Sequence, residues 1–138
     1  MKKLIVFFIL VFFSVPFVKA KTDSEYIIDK VLGECTTENY MTSGMNQCIY
    51  DGIEAWNNEI NQYSKQIVEL LDDENIKVFK AAQLSWEFYY NKEKDFLYKT
   101  VYEKEGDIHT TFVIGDMYEL VKHRAVTLKK YLFQLTEN

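Results

Sequence analysis

The chain has 138 residues, with 16 Lys and Arg against 21 Asp and Glu and a formal net charge of −5. An acidic chain is a poor candidate for nucleic-acid binding, because such binders present basic patches to phosphate. The length suffices for one domain with a single core.

The first 20 residues are typical of a secretory signal. Lys2 and Lys3 precede an apolar run that ends at Phe17, and residues 18–20 place small side chains at the cleavage positions. A membrane span is the alternative, but the run is shorter than the roughly 20 residues a bilayer core requires, and Pro16 interrupts it. We predict a signal peptide over residues 1–20 and a periplasmic or secreted domain over residues 21–138, free of the membrane. That domain has 13 basic and 21 acidic side chains, a net charge of −8.

Residues 24–32 can form a short first helix that stops near Gly33, followed by a polar stretch through Thr42. The stretch contains the first of two cysteines, Cys35, and leads to the second, Cys48. In an oxidising compartment an even cysteine count at short spacing indicates a disulfide. A metal pair or a redox motif is the alternative, but the spacing is not Cys-x-x-Cys, and the histidines lie far away in the sequence.

The clearest periodic pattern predicts a long second helix, because apolar residues recur at steps of three and four. They are Met45, Ile49, Ile53, Trp56, Ile60, Tyr63, Ile67 and Leu70. Thr42 or Ser43 can cap its start. Residues 72–75 interrupt the pattern, and Asp72 or Asp73 can cap the next helix.

Two further helices complete the predicted fold. The third carries Ile76, Phe79, Gln83, Trp86 and Tyr90 on one face, residues 99–110 form a charged loop, and the fourth spans about residues 111–135. The predicted face of the fourth helix is Met117, Leu120, Arg124, Leu128, Tyr131 and Leu135. We expect an all-α fold, an antiparallel bundle of three long helices with the short first helix attached by the disulfide.

The sequence lacks the residue patterns of an enzyme. It shows no nucleophile with its base, no metal-ligand spacing and no phosphate-binding glycine loop, so we predict no cofactor, no metal and no catalysis. His109 and His123 are predicted to be polar surface residues.

Four residues stand out on or beside the apolar faces: Asn61, Gln83, Trp86 and Arg124. A buried arginine needs polar partners, so the polar members of this set can form a network that fixes helix register. The alternative is that they shape one end of a binding surface. Trp86 is likewise a core residue or an anchor for a partner.

The same residues carry a family resemblance. Cys35 and Cys48, Ile60-Asn61, Ala81-Ala82-Gln83-x-x-Trp86 and Leu120-x-x-x-Arg124-Ala125-x-x-Leu128 resemble the small exported helical domain named for the LprI-type lysozyme inhibitor. The similarity spans about residues 35–132. The resemblance implies a helical fold and a protein partner. That partner would be a basic lysozyme or another cell-wall hydrolase, which the domain would inhibit by steric blocking.

Acidic loops are the predicted contacts with a cationic partner, because opposite charges speed encounter. They are Asp72, Asp73 and Glu74 after the second helix, and Glu103, Glu105 and Asp107 before the fourth. An immunity or envelope-stress protein that binds another toxin or envelope partner, a structural factor without a hydrolase target, and an undetected enzyme are the alternatives.

Overall fold

The computed structural model describes residues 24–102 and 107–137, which are almost entirely helical. Helix α1 is Ser24–Glu38, α2 is Thr42–Leu70, α3 is Asp73–Leu97 and α4 is Asp107–Thr136. A π-helical turn, Tyr98–Tyr102, directly follows α3. The described residues contain no strand, so the all-α prediction is confirmed. The predicted signal peptide lies outside the described residues.

Helix α1 is longer than predicted, because it continues through Gly33 to Glu38. A glycine inside a helix costs only about 1 kcal/mol, which local bonds can offset. The hydroxyl of Thr37 donates to the Gly33 carbonyl at 2.7 Å, and the disulfide between Cys35 and Cys48 ties this part of α1 to α2. The disulfide prediction is confirmed.

The capping predictions have opposite outcomes. The prediction that Thr42 or Ser43 caps α2 is wrong, because the helix already begins at Thr42 and the preceding Met41 makes no side-chain cap. The capping of α3 by an aspartate is confirmed, since Asp72 accepts the Asn75 backbone N–H at 2.8 Å. This bond outweighs desolvation and lowers the pKa of the Asp72 carboxyl.

The predicted loop over residues 99–110 is partly wrong. Residues 99–102 belong to the π-helical turn, and α4 already begins at Asp107. The cause is apolar packing, since Tyr98 and Val101 pack against a small cluster that contains Leu97 of α3 and Val113 of α4. Burial of these side chains favours helix over the charged loop that composition alone suggested.

The main core lies between α2 and α4. It consists of Trp56, Ile60, Tyr63 and Ile67 from α2 and Tyr118, Val121, Ala125 and Leu128 from α4. Gly52 allows the close approach, because a Cβ at this position would lie 2.8 Å from the Tyr118 ring. The apolar face predicted for α2 is buried from Trp56 to Ile67, half-buried over Met45, Ile49 and Ile53, and half exposed at Leu70.

The predicted apolar face of α4 is partly wrong. Met117 and Leu128 are buried as expected, but Tyr131 is 44% exposed and Leu135 is 37% exposed. Val121 and Ala125, which lie outside the predicted face, are fully buried instead. Two overlapping apolar patterns run along α4, and α2 packs against the one that contains Tyr118, Val121, Ala125 and Leu128.

Helix α3 lies at the periphery of the core. Its predicted face packs against the core only in part, through the half-buried Phe79, Trp86 and Tyr90. Contacts near the helix ends fix the relative placement: the Thr111 hydroxyl of α4 donates to Asn46 near the start of α2 at 2.8 Å. Residue Tyr98, which follows α3, lies beside Tyr50 near the same end of α2, with 3.4 Å between the hydroxyl oxygens.

We expect the disulfide to be a major source of stability. The double variant Cys35→Ser/Cys48→Ser should lower the free energy of unfolding by about 3 kcal/mol, because the bond closes a short loop and restricts the unfolded chain. Urea denaturation of the purified domain measures the difference. Reductant should destabilise the wild type equally and leave the double variant unchanged; a loss below about 1 kcal/mol contradicts the prediction.

Candidate protein-binding site

Gln83 links three helices through its side-chain amide. Its Nε2 donates to the Ser64 hydroxyl of α2 at 3.2 Å, and its Oε1 accepts from Nε of Arg124 of α4 at 2.8 Å. A second guanidinium nitrogen of Arg124 donates to the same oxygen. The amide therefore holds the peripheral α3 to both core helices.

Arg124 also lies against an aromatic pair. Its guanidinium carbon is 5.7 Å from the Trp86 ring centre, and Trp86 stacks on Tyr90 at 5.5 Å. Burial lowers the pKa of the Arg124 guanidinium below its ordinary value. An arginine remains charged at neutral pH even when perturbed, so the amide oxygen and the ring face stabilise a half-buried cation.

The structure brings together three of the four residues singled out in the sequence: Gln83, Trp86 and Arg124. Asn61 is exposed on α2 and is not part of this group. Ser64 also belongs to this group. It could not be singled out from the sequence, because a lone serine beside an apolar face carries no signal. All three grouped residues are half-buried, which suits a cluster that positions α3.

Of the two predicted contact loops, the structure describes the one that precedes α3. Asp72, Asp73 and Glu74 are exposed at its start. Glu103 and Glu105 lie outside the described residues, as does the Asp107 side chain.

A groove between α3 and α4 collects acidic side chains that the sequence reasoning missed. It has a volume of about 400 Å³ and is lined by Glu93, Leu97, Asp116, Glu119, Leu120 and His123. We call this set the acidic groove. The groove residues on α4 recur at steps of three and four, so the sequence predicts that they share one side of that helix. The sequence does not predict that Glu93 and Leu97 of α3 lie beside them.

The carboxylates of the acidic groove are available to a partner. Glu93, Asp116 and Glu119 form no ion pair within the described part of the chain. The floor is apolar, with Leu97 buried and Leu120 half-buried. Negative groups around an apolar floor match the surface needed to receive a basic side chain with a long aliphatic stem.

A second pocket, of about 470 Å³, lies on the other side of Glu119 between α1 and α4. There Asp29 accepts hydrogen bonds from the Tyr118 hydroxyl and from Lys122, both at 2.6 Å. Burial raises the pKa of the Asp29 carboxyl, but these bonds and the Lys122 charge outweigh it, so the pKa lies below its ordinary 3.8. Because Asp29 is already paired, this pocket is less negative than the acidic groove.

Over the described ranges 24–102 and 107–137, no group of three His, Cys, Asp or Glu side chains could hold a metal ion. Helices long and apolar enough to cross a membrane are likewise absent from these ranges. The described features define a small, disulfide-bonded helical domain whose most distinctive surface is acidic.

The family model for the lysozyme inhibitor LprI matches residues 34–128, more than half of the chain. The chain therefore belongs to the lysozyme inhibitor LprI family, which confirms the resemblance inferred from the motifs. No curated protein matches the chain.

A crystal structure of an uncharacterized protein from Burkholderia thailandensis is similar in fold, with a TM-score of 0.69 and 19% sequence identity. The similarity covers 79% of this chain and 54% of that one, so this chain spans about half the length of the other protein. At this identity the likeness concerns the fold alone.

The Gln83–Arg124 interaction should be strongly coupled. In a double-mutant cycle with Gln83→Met and Arg124→Met, we expect a coupling energy of about 1–2 kcal/mol, because the bond is charge-assisted and half-buried. Urea denaturation of the four proteins measures it. Ser64→Ala, which removes the weaker contact of the same amide, should cost about 0.5 kcal/mol. If the losses of unfolding free energy in the two single variants sum to the loss in the double variant within about 0.3 kcal/mol, the coupling is contradicted.

Asp29 should make stability depend on pH. Its folded-state pKa is lowered, so its contribution is complete above the ordinary pKa and is lost as the pH falls through the folded value. Asp29→Asn should therefore destabilise the domain near neutral pH, and the difference from the wild type should vanish towards pH ~2. We expect at most about 1 kcal/mol, because Asp29 is 40% exposed and solvent screens the pair.

Unfolding free energies between about pH 7 and pH 2 test this prediction. The matched control is Glu38→Gln, an exposed carboxylate at the end of the same helix. A difference between the wild type and Asp29→Asn that stays constant over the range contradicts the assignment.

Proposed function

We propose that the exported domain binds a lysozyme-type cell-wall hydrolase and inhibits it by covering its glycan cleft. The observation that carries this proposal is membership of the lysozyme inhibitor LprI family over residues 34–128. The proposed export depends on the predicted signal peptide over residues 1–20, which would leave a periplasmic or secreted domain over residues 21–138.

The acidic groove is the proposed contact. The domain over residues 21–138 has a net charge of −8, and a cationic hydrolase would be attracted to it over distances near the Debye length, about 8 Å at physiological salt. The unpaired carboxylates of Glu93, Asp116 and Glu119 would then orient the hydrolase as it approaches the groove. A basic side chain of the enzyme would enter the groove with its stem on Leu97 and Leu120.

The helical scaffold suits this role because it holds the groove rigid. We propose the predicted antiparallel arrangement of the successive helices, which the Tyr50–Tyr98 and Gln83–Ser64 contacts support. In that arrangement Gln83 and Arg124 fix the spacing between α3 and α4, and thus the width of the groove. A preformed site loses little conformational freedom on binding, which favours affinity.

Inhibition assays with the purified domain and several lysozyme types test the proposal. The triple variant Glu93→Gln/Asp116→Asn/Glu119→Gln should raise the inhibition constant at least about tenfold, because it removes the local negative field. A matched control, Glu38→Gln/Glu69→Gln/Glu137→Gln, removes the same charge from exposed positions elsewhere and should change it less than about threefold.

Two outcomes would redirect the proposal. If Asp73→Asn/Glu74→Gln weakens inhibition and the groove variant does not, the contact is the predicted loop that follows α2. These substitutions retain the Asp72 cap, so the fold is preserved. If micromolar protein inhibits no lysozyme type at low salt, the hydrolase target is excluded and binding to another toxin or envelope partner becomes the leading function.

A further inference from the structure

Helix α3 carries apolar side chains on two sides, and only one side packs on the core. The other side is exposed: Val78 and Phe88 are each 65% exposed and Leu84 is 67% exposed. We call this surface the outer stripe. It comprises Val78, Ala81, Leu84, Ser85, Phe88 and Phe96. Exposed apolar side chains that share one side of a helix favour an interaction site there.

The spacing of the outer stripe matches a helix–helix seam. Val78, Ala81, Ser85 and Phe88 follow one another at steps of three, four and three, the pattern of the a and d positions of a coiled coil. The small side chains of Ala81 and Ser85 allow another helix to approach closely. The core does not require this pattern, because the inner side of α3 already supplies Phe79 and Trp86 to it.

The charges along α3 favour a second copy of the same helix. Its first turn is acidic, with Asp73 and Glu74, while Lys99 lies just beyond its last turn. In an antiparallel pair centred between Ser85 and Phe88, Glu74 of one copy lies beside Lys99 of the second copy. A parallel pair would instead place like charges together, which is unfavourable.

The same register pairs further charges at the edge of the stripe. Lys77 of one copy lies within one residue of Asp95 of the second copy, and two-fold symmetry repeats this contact. Lys92 follows Phe88 by four positions and so continues the stripe; its ammonium is 5.5 Å from the Phe88 ring centre, so its stem can cover the ring while its charge reaches water. Both ends of the helix therefore contribute complementary contacts.

From these observations we propose that the outer stripe is the interface of a symmetric, antiparallel homodimer. The interface involves one helix per copy, about 37 Å long, and is at the small end of stable interfaces. A dissociation constant of about 1–100 µM is expected, so the dimer exchanges with monomer. Glu93 faces α4 across the acidic groove, so the outer stripe and the groove lie on different sides of α3 and the two proposals are independent.

Sedimentation equilibrium of the purified domain from about 1 µM to 1 mM tests for the dimer. Phe88→Glu should raise the dissociation constant more than about tenfold, because a charge would be buried at the centre of the seam. Phe133→Glu is the matched control, since Phe133 is a 62% exposed phenylalanine on α4, and it should leave dimerisation unchanged. Circular dichroism verifies that both variants remain helical.

A charge swap and a cross-link test the antiparallel register. Lys77→Glu should weaken the dimer, and Lys77→Glu/Asp95→Lys should restore it. An equimolar mixture of Glu74→Cys and Lys99→Cys chains should be joined into a mixed pair by a short bismaleimide, whereas neither chain alone should be joined efficiently. Monomer at every concentration, a Phe88→Glu variant that dimerises normally, or efficient joining of identical chains would each overturn the proposal.

Discussion

The packing of α2 against α4 is the constraint on which the remaining structure depends. Gly52 leaves room for the Tyr118 ring, and the fully buried Trp56, Val121 and Leu128 complete the contact. Burial of large apolar side chains is the dominant favourable term in a domain of this size, and this pair of helices contains most of it. Helix α1 then attaches through the disulfide and through Asp29, which receives a hydrogen bond from the Tyr118 hydroxyl.

This packing also determines where the acidic groove lies. Once one side of α4 is buried against α2, its two flanks remain, and Glu119 borders pockets on both of them. On the flank nearest α1, the charge of Lys122 neutralises that of Asp29. On the flank nearest α3, Glu93 adds a further negative charge, so this side stays negative. The acidic groove therefore results from where α3 is placed, and the Gln83–Arg124 bond contributes to that placement.

The peripheral position of α3 connects the two proposals. A helix held mainly by aromatic side chains and one amide keeps much of its surface in solvent, and on this helix that surface is apolar as well as charged. Its flank nearest α4 belongs to the acidic groove, while the opposite side presents the outer stripe. The same helix can therefore serve a hydrolase contact and a contact between copies without competition between them.

The sequence alone determined the helical class, the disulfide, the central part of the α2 face, an aspartate cap on α3 and the family, because each depends on local spacing or on motif order. It misjudged the end of α1 at Gly33 and the start of α2, since a disulfide and neighbouring hydroxyl bonds override weak local preferences. Only the tertiary structure decided which of two apolar patterns on α4 is buried and which carboxylates of different helices meet. Such choices depend on contacts between distant segments, and residues like Glu93 and Asp116 carry no local signal of their eventual neighbours.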